Sequence, residues 1–307
     1  MKKDKVLELL SEMTLDEKIG QLVQTRGELF LDGERIITGP LDDLSYTDEQ
    51  LYQVGSILNM AGSDSVRKVQ DIYLSKSRLK IPLLFTGDVI NGFKTIFPIP
   101  LLQGCSWDLD LIYDCASISS KEAGYAGIQA NFSPMVDLVR DSRWGRVLES
   151  AGGEDVLLSS LYAKKIIEAY HSNNMAACAK HYIAYGAVEG GKEYNFVDMS
   201  KRELLEYYLP PFKACIDSNV DMIMPAFSTF EDIPCTVNYW LLKTLLRDNF
   251  NYDGVIISDY SAILETIAHG YSIDKKDATL KAFNSTVDID MMTDCYLYNL
   301  KGLINSR

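Results

Sequence analysis

Charged side chains follow four short apolar segments of this chain, at the point where each segment gives way to a loop. These side chains are Asp88, Arg146, Lys180, His181 and Asp259. Short apolar runs are typical of buried strands, and the carboxyl ends of parallel strands meet at one open face of a barrel. The sequence therefore predicts one mouth that holds two carboxylates, a guanidinium, an ammonium and an imidazole.

Such a set suits a neutral ligand with many hydroxyl groups. Each hydroxyl both donates and accepts, so charged groups within reach of neighbouring hydroxyls form strong and directional hydrogen bonds. Cleavage of a glycosidic bond with retention needs a carboxylate nucleophile and a second carboxylic acid about 5 Å away. Cations beside Asp259 would keep that carboxylate ionised, as a nucleophile must be.

Each member of the set also has a structural explanation. Asp88 could cap the helix that follows it. Arg143 and Arg146 flank Trp144 and could form ion pairs with nearby acidic residues such as Glu149. Asp259 or the Lys180–His181 pair could each be structural when taken alone. Charge at four independent strand ends favours a shared site.

The apolar runs alternate with amphipathic helices along most of the chain. The predicted strands are residues 54–58, 81–85, 129–132, 175–179, 222–224, 255–257 and 287–291, with helices such as 155–170 and 201–218 between them. This alternation predicts βαβ units, and seven or eight units favour an α/β fold with a closed (β/α)8 TIM-like barrel. The Gly-rich motifs that cradle nucleotide phosphates are absent from the sequence.

The N-terminal region is predicted to be helical. Thr14 and Glu17 fit a capping box, and Leu15, Ile19, Leu22 and Val23 then recur at helical spacing. A polar, turn-rich patch follows over residues 32–48. The fold prediction includes a degenerate first βα unit.

Composition excludes several classes of partner and cofactor. The net charge of −13 argues against nucleic acid or an anionic membrane as the main partner. The six cysteines form no C-x-x-C pair and are expected to be buried free thiols, and no ligand spacing predicts a metal or another cofactor. Neither a signal peptide nor an 18-residue apolar run is visible, so a cytoplasmic location is expected.

The chain resembles the N-terminal barrel domain of glycoside hydrolase family 3, within its bacterial β-glucosidase-type members. The most specific segments are residues 140–146, 180–195 and 254–260, and the likeness extends over nearly the whole sequence. The resemblance implies one barrel domain over residues 1–307. It also implies a retaining exo-β-glycosidase that acts on a β-glucoside or short oligosaccharide.

The resemblance implies a role for each residue of the predicted mouth. Asp259 would be the nucleophile that forms a covalent glycosyl-enzyme. Tyr260 would stack near the entrance. The remaining residues would bind hydroxyls of the sugar in the −1 subsite, and they are Asp88, Arg146, Lys180 and His181.

One element of the family's site is expected to lie outside this chain. In β-glucosidase-type members a second α/β sandwich domain supplies the acid/base glutamate, and this sequence ends at Arg307, just past the last barrel helix. The resemblance thus implies a partner domain or chain that contributes the acid. Two alternatives stay open at this point, a barrel that binds sugars without cleaving them and an inactive truncated fragment. The choice between glucose, xylose and other units also stays open.

Overall fold

The computed structural model describes residues 3–31 and 46–306. Its centre is a sheet of eight strands, in which every pair is parallel. In chain order the strands are β1 Val23–Arg26, β2 Ser56–Leu58, β3 Leu84–Gly87, β4 Ala130–Asn131, β5 Ala176–Tyr182, β6 Met222–Pro225, β7 Val255–Ile256 and β8 Asp290–Met291.

The sheet closes on itself. Neighbouring strands run β7-β6-β5-β4-β3-β2-β1-β8. The two end strands meet through a parallel bridge between Ile257 and Ile289, where the Ser258 N–H donates to the Ile289 carbonyl at 2.9 Å. This closure confirms the predicted (β/α)8 TIM-like barrel.

Helices surround the strands. They are α1 Lys3–Glu12, α2 Leu15–Gly20, α3 Asp48–Leu51, α4 Ser63–Lys76, α5 Pro100–Gly104, α6 Leu109–Tyr125, α7 Val156–Ser172, α8 Lys201–Glu203, α9 Leu209–Asp217, α10 Ala262–Ala268, α11 Lys275–Asn284 and α12 Cys295–Asn305. A π-helical turn, Leu204–Tyr208, joins α8 to α9, and the π-helix Trp240–Asn249 follows β6. Within the described residues β1 is followed only by the short turn Gly27–Phe30 and by α3, as expected for a degenerate first unit.

The N-terminal helix prediction was wrong beyond Gly20. The capping box at Thr14 and Glu17 forms as predicted, but α2 ends at Gly20 and Val23 opens the fully buried strand β1. A Cβ on Gly20 would lie 2.5 Å from the Gln53 carbonyl oxygen, so the chain passes close to its neighbour at this point. Only Val23 among the four residues of β1 is apolar, so β1 contains no apolar run, and Val23 also fits the helical spacing of Leu15, Ile19 and Leu22. Most of the predicted polar patch 32–48 lies outside the described residues.

Two apolar cores hold the barrel together. Side chains inside it form a small cluster that includes Phe132, Met222 and Ile257, and a larger cluster lies between the strands and the helices. Five of the six cysteines are buried free thiols, whereas Cys105 is exposed, so the prediction of burial was wrong there. Cys105 is the residue that directly follows α5.

Candidate active site

A pocket of about 280 Å³ opens at the C-terminal ends of the barrel strands. Its lining residues are Leu58, Asn59, Asp88, Ile90, Phe132, Arg146, Glu149, Lys180, His181, Met224, Asp259, Tyr260 and Met291. The structure therefore brings together all six site residues that the sequence and the family resemblance pointed to. The volume lies at the small end of ligand pockets, which suits one small polar unit.

Asp259 follows β7, and one of its carboxylate oxygens accepts a hydrogen bond from the backbone of the next residue. The Tyr260 N–H donates to Asp259 Oδ1 at 2.7 Å, while Oδ2 is buried and accepts no hydrogen bond from a described residue. Burial raises the pKa of Asp259 to about 6, and the cations Lys180 and Arg146 oppose that rise. One oxygen is thus anchored and the other is free to react.

Lys180 and Asp88 form an ion pair across the pocket. Lys180 Nζ lies 2.8 Å from Asp88 Oδ1, and the lysine side chain is only 4% exposed. The Asp88 N–H also donates to Asn59 Oδ1 at 3.1 Å. A charge-assisted pair of this kind, with a buried lysine and an aspartate that is 42% exposed, offers both a donor and an acceptor to a neighbouring pair of hydroxyls.

His181 is buried and fixed by Asp137. Both its backbone N–H, at 2.9 Å, and its ring Nδ1, at 2.8 Å, contact Asp137 Oδ2. Burial lowers the pKa of His181 well below its ordinary value, and Arg146 and Lys180 act in the same direction. We therefore assign a neutral ring that donates through Nδ1 and presents Nε2, 3.5 Å from Asp259 Oδ2, as an acceptor.

The Lys180–His181 pair depends on an irregularity in β5. Successive residues of a regular strand point to opposite faces, yet both side chains line the pocket. The pairing of β5 with β6 shifts register between Lys180 and Tyr182. The strand therefore departs from the regular pattern where its two functional side chains lie.

Arg146 enters the pocket from the loop after β4. Its Nε and Nη2 donate to the two carboxylate oxygens of Glu149 at 2.8 and 3.0 Å, and its guanidinium lies 6.0 Å from the centre of the Tyr185 ring. The fork geometry orients the remaining donors of Arg146 toward the pocket. Arg143 instead pairs with Asp141 and its side chain is 75% exposed, so it does not line the site.

Several residues at the site were not singled out from the sequence. Asn59 and Asp137 follow strands as the predicted residues do, and that position was the available signal. Glu265 lies on α10, and burial together with the nearby Asp259 raises its pKa to about 7. A carboxylate within a helical pattern gives no sequence signal of this kind.

The described part of the chain contains no group of three or more His, Cys, Asp or Glu side chains arranged to hold a metal ion. Over the same residues, no helix is both long enough and apolar enough to cross a bilayer.

Comparison with known proteins agrees with this geometry. The family described as "Glycosyl hydrolase family 3 N terminal domain" matches residues 14–306. A periplasmic β-glucosidase of Salmonella typhimurium is 40% identical over 98% of this chain and 39% of its own length. A β-xylosidase of Formosa agariphila is 31% identical over 81% of this chain and 37% of its own.

Solved structures show the same likeness. A β-glucosidase from Listeria innocua in complex with isofagomine superposes with a TM-score of 0.95 at 45% identity, over 100% of this chain and 43% of that one. The structure of the same enzyme in complex with glucose superposes with a TM-score of 0.96 at 44% identity, over 100% of this chain and 44% of that one. The chain thus spans about two fifths of the length of these relatives. It belongs to glycoside hydrolase family 3, and the barrel described above is the family's N-terminal domain.

Proposed function

We propose that this barrel is the glycone-binding and nucleophile-bearing part of a retaining exo-β-glycosidase. One observation carries the proposal: Asp259 is buried with one oxygen anchored and the other free, inside a pocket lined by hydrogen-bonding groups. Asp259 Oδ2 would attack the anomeric carbon as the glycosidic C–O bond breaks and the leaving oxygen takes up a proton. Water would then cleave the glycosyl ester and regenerate the carboxylate.

The groups around Asp259 favour a terminal β-glucosyl unit as the glycone. Asp88 and Lys180 would bind one pair of hydroxyls, and Arg146 and His181 Nε2 would bind others. Structures of the Listeria innocua β-glucosidase carry glucose and laminaribiose. We propose β-glucosides or short β-linked oligosaccharides as substrates, with xylosides as the competing class because a relative bears that name.

We propose that the acid/base group comes from a second domain or chain. The pocket is lined by three carboxylates, and two of them are engaged, Asp88 with Lys180 and Glu149 with Arg146. Glu193 does not line the pocket, and its carboxylate is also engaged, because it accepts a hydrogen bond from the Tyr185 hydroxyl. Glu265 is the in-barrel alternative because of its raised pKa, but it does not line the pocket.

Substrates with different leaving groups test whether the barrel carries the nucleophile but lacks the general acid. We expect the barrel to release dinitrophenol from a dinitrophenyl β-glucoside, because that leaving group departs without a proton. Methyl β-glucoside should react at least about 10³-fold more slowly than in an enzyme with its general acid in place. The measurement compares the rate of dinitrophenolate release from the dinitrophenyl glucoside with the rate of glucose release from the methyl glucoside. Efficient hydrolysis of the methyl glucoside, lost in Glu265→Gln, would instead assign the acid to Glu265.

The pH dependence of glycosylation follows from Asp259. The raised pKa means that the carboxylate becomes protonated, and so unreactive, as the pH falls through about 6. We expect the rate of dinitrophenol release to be constant well above that value and to fall about tenfold for each pH unit well below it. A stopped-flow pH profile provides the check. A midpoint at the ordinary value for an exposed aspartate would contradict the described burial.

The substrates and partners of the whole protein are proposals, since this chain covers only part of its relatives. One barrel domain over residues 1–307 and a cytoplasmic location likewise remain predictions. Fractionation of the native host cells would test the location directly.

A further inference from the structure

Arg26 is a buried cation at the barrel mouth that the proposed mechanism does not use. It is the last residue of β1 and its exposed fraction is 8%. Its neighbours around the barrel are β8, which carries Met291, and β2, which carries Leu58. Both of those residues line the pocket. Arg26 therefore occupies the sector between Asp259 and Asp88.

The register of β1 indicates that the Arg26 side chain faces the barrel interior. Arg26 is paired with Leu58, a pocket-lining residue, and side chains of directly paired residues share a face. Gln24 lies two residues earlier on the same face. Its amide donates to Ser56 Oγ and Thr86 Oγ1, both at 3.2 Å and both buried. The interior face of β1 is thus the one that carries Arg26.

Arg26 forms no ion pair with any described residue, and its Nε is buried without a hydrogen-bond acceptor. Tyr260, whose hydroxyl is also buried without a partner, lies close enough to feel the charge of Arg26, which lowers the tyrosine's pKa against the larger effect of burial. A buried charge without a partner is strongly destabilising. The two donors together therefore mark a place where an acceptor belongs.

The chemistry of the donors narrows the choice of acceptor. A guanidinium fork matches the two oxygens of a planar carboxylate. Asp88, Arg146, Lys180 and His181, the hydroxyl-binding groups of the proposed function, lie on the β3–β5 side of the mouth. The β8–β1 sector lies on the other side of Asp259 and would then face the leaving group. We propose that Arg26 and Tyr260 form a subsite for a carboxylate on the leaving group of a β-glycoside. This inference rests on the proposed function.

A pair of thioglucosides that the enzyme does not hydrolyse tests the subsite. The para-carboxyphenyl and para-carbamoylphenyl β-thioglucosides have nearly the same shape and differ in charge. Calorimetry on this chain at neutral pH is expected to show about tenfold tighter binding of the carboxylate. In Arg26→Gln that preference should vanish while the affinity for the carboxamide stays the same within about twofold. Arg143→Gln, an exposed arginine outside the pocket, is the matched control and should keep the preference.

The outcomes separate this inference from the proposed function. Equal affinity of the unmodified chain for the two ligands, or a preference that survives in Arg26→Gln, would overturn the subsite and leave the glycosidase proposal intact. Binding of neither ligand would contradict both.

Thermal unfolding gives an independent readout. Because Arg26 has no acceptor among the described residues, Arg26→Met should not lower the Tm. A large fall would show that a protein group already satisfies the guanidinium, and it would overturn the proposal.

Discussion

Asp259→Ala is expected to lower the rate of dinitrophenol release from an activated β-glucoside by at least about 10⁴-fold, the scale seen when a catalytic nucleophile is removed. The physical reason is that Asp259 Oδ2 is the one carboxylate oxygen lining the pocket that is buried without a partner among the described residues. Its removal leaves the glycone-binding groups in place but gives the anomeric carbon nothing to react with. Binding of glucose should change far less than the rate.

Two controls test whether the loss of rate is specific to the nucleophile. Asp253→Ala removes an exposed aspartate just before the same strand and should leave the rate unchanged. Azide added to Asp259→Ala should restore release of dinitrophenol, because a small anion can enter the space of the lost carboxylate. Azide would then bond to the anomeric carbon as the aryl oxygen leaves, and the product would be the α-glucosyl azide. Rescue that gives only the β-azide would place the nucleophile elsewhere.

Lys180→Met is expected to lower kcat/KM for the same substrate by about 10–10²-fold, which corresponds to the loss of one hydrogen bond from a charged donor. The substitution leaves Asp88 without the ammonium 2.8 Å from its Oδ1 and removes a hydrogen-bond donor from the pocket. It also removes a cation that lowers the pKa of Asp259. The acidic limb of the pH profile should therefore move to higher pH.

The pH shift distinguishes this role from a structural one. Lys165→Met, which breaks an exposed pair with Glu168 on α7, should change neither kcat/KM nor the profile. A Lys180→Met variant with reduced activity but an unmoved pH profile would contradict the proposed effect of Lys180 on the pKa of Asp259. Circular dichroism and the Tm of each variant complete the comparison.

The barrel could be predicted because most of its strands are visible in the sequence as short apolar runs. Seven of the eight strands overlap apolar runs that end in loops, and the polar residues just after those runs are the ones that the fold brings together. Parallel strands place their carboxyl ends on one face, so the position of a residue after a strand is enough to place it at the mouth. The family resemblance then added Tyr260 and distinguished Arg146 from Arg143.

What the sequence could not show depends on contacts between distant residues. Strand β1 was not predicted because three of its four buried residues are polar and the first, Val23, fits the spacing of the preceding helix. The hydrogen bond between Asp137 and the His181 ring connects residues 44 positions apart, so no local spacing in the sequence reveals it. Arg26 looks like any surface arginine until the fold buries it. In each case the missing information is which side chains the barrel brings into contact.

The central claim is that Asp259 is the nucleophile of a retaining glycosidase. An activated fluoroglucoside slows hydrolysis of the glycosyl-enzyme more than its formation, so the intermediate accumulates. Peptide mass spectrometry of the intact chain after such treatment should show one added fluoroglucosyl group, on the peptide that contains Asp259, and none in Asp259→Ala. A folded chain that gains no adduct, or gains it on another carboxylate, would contradict the account.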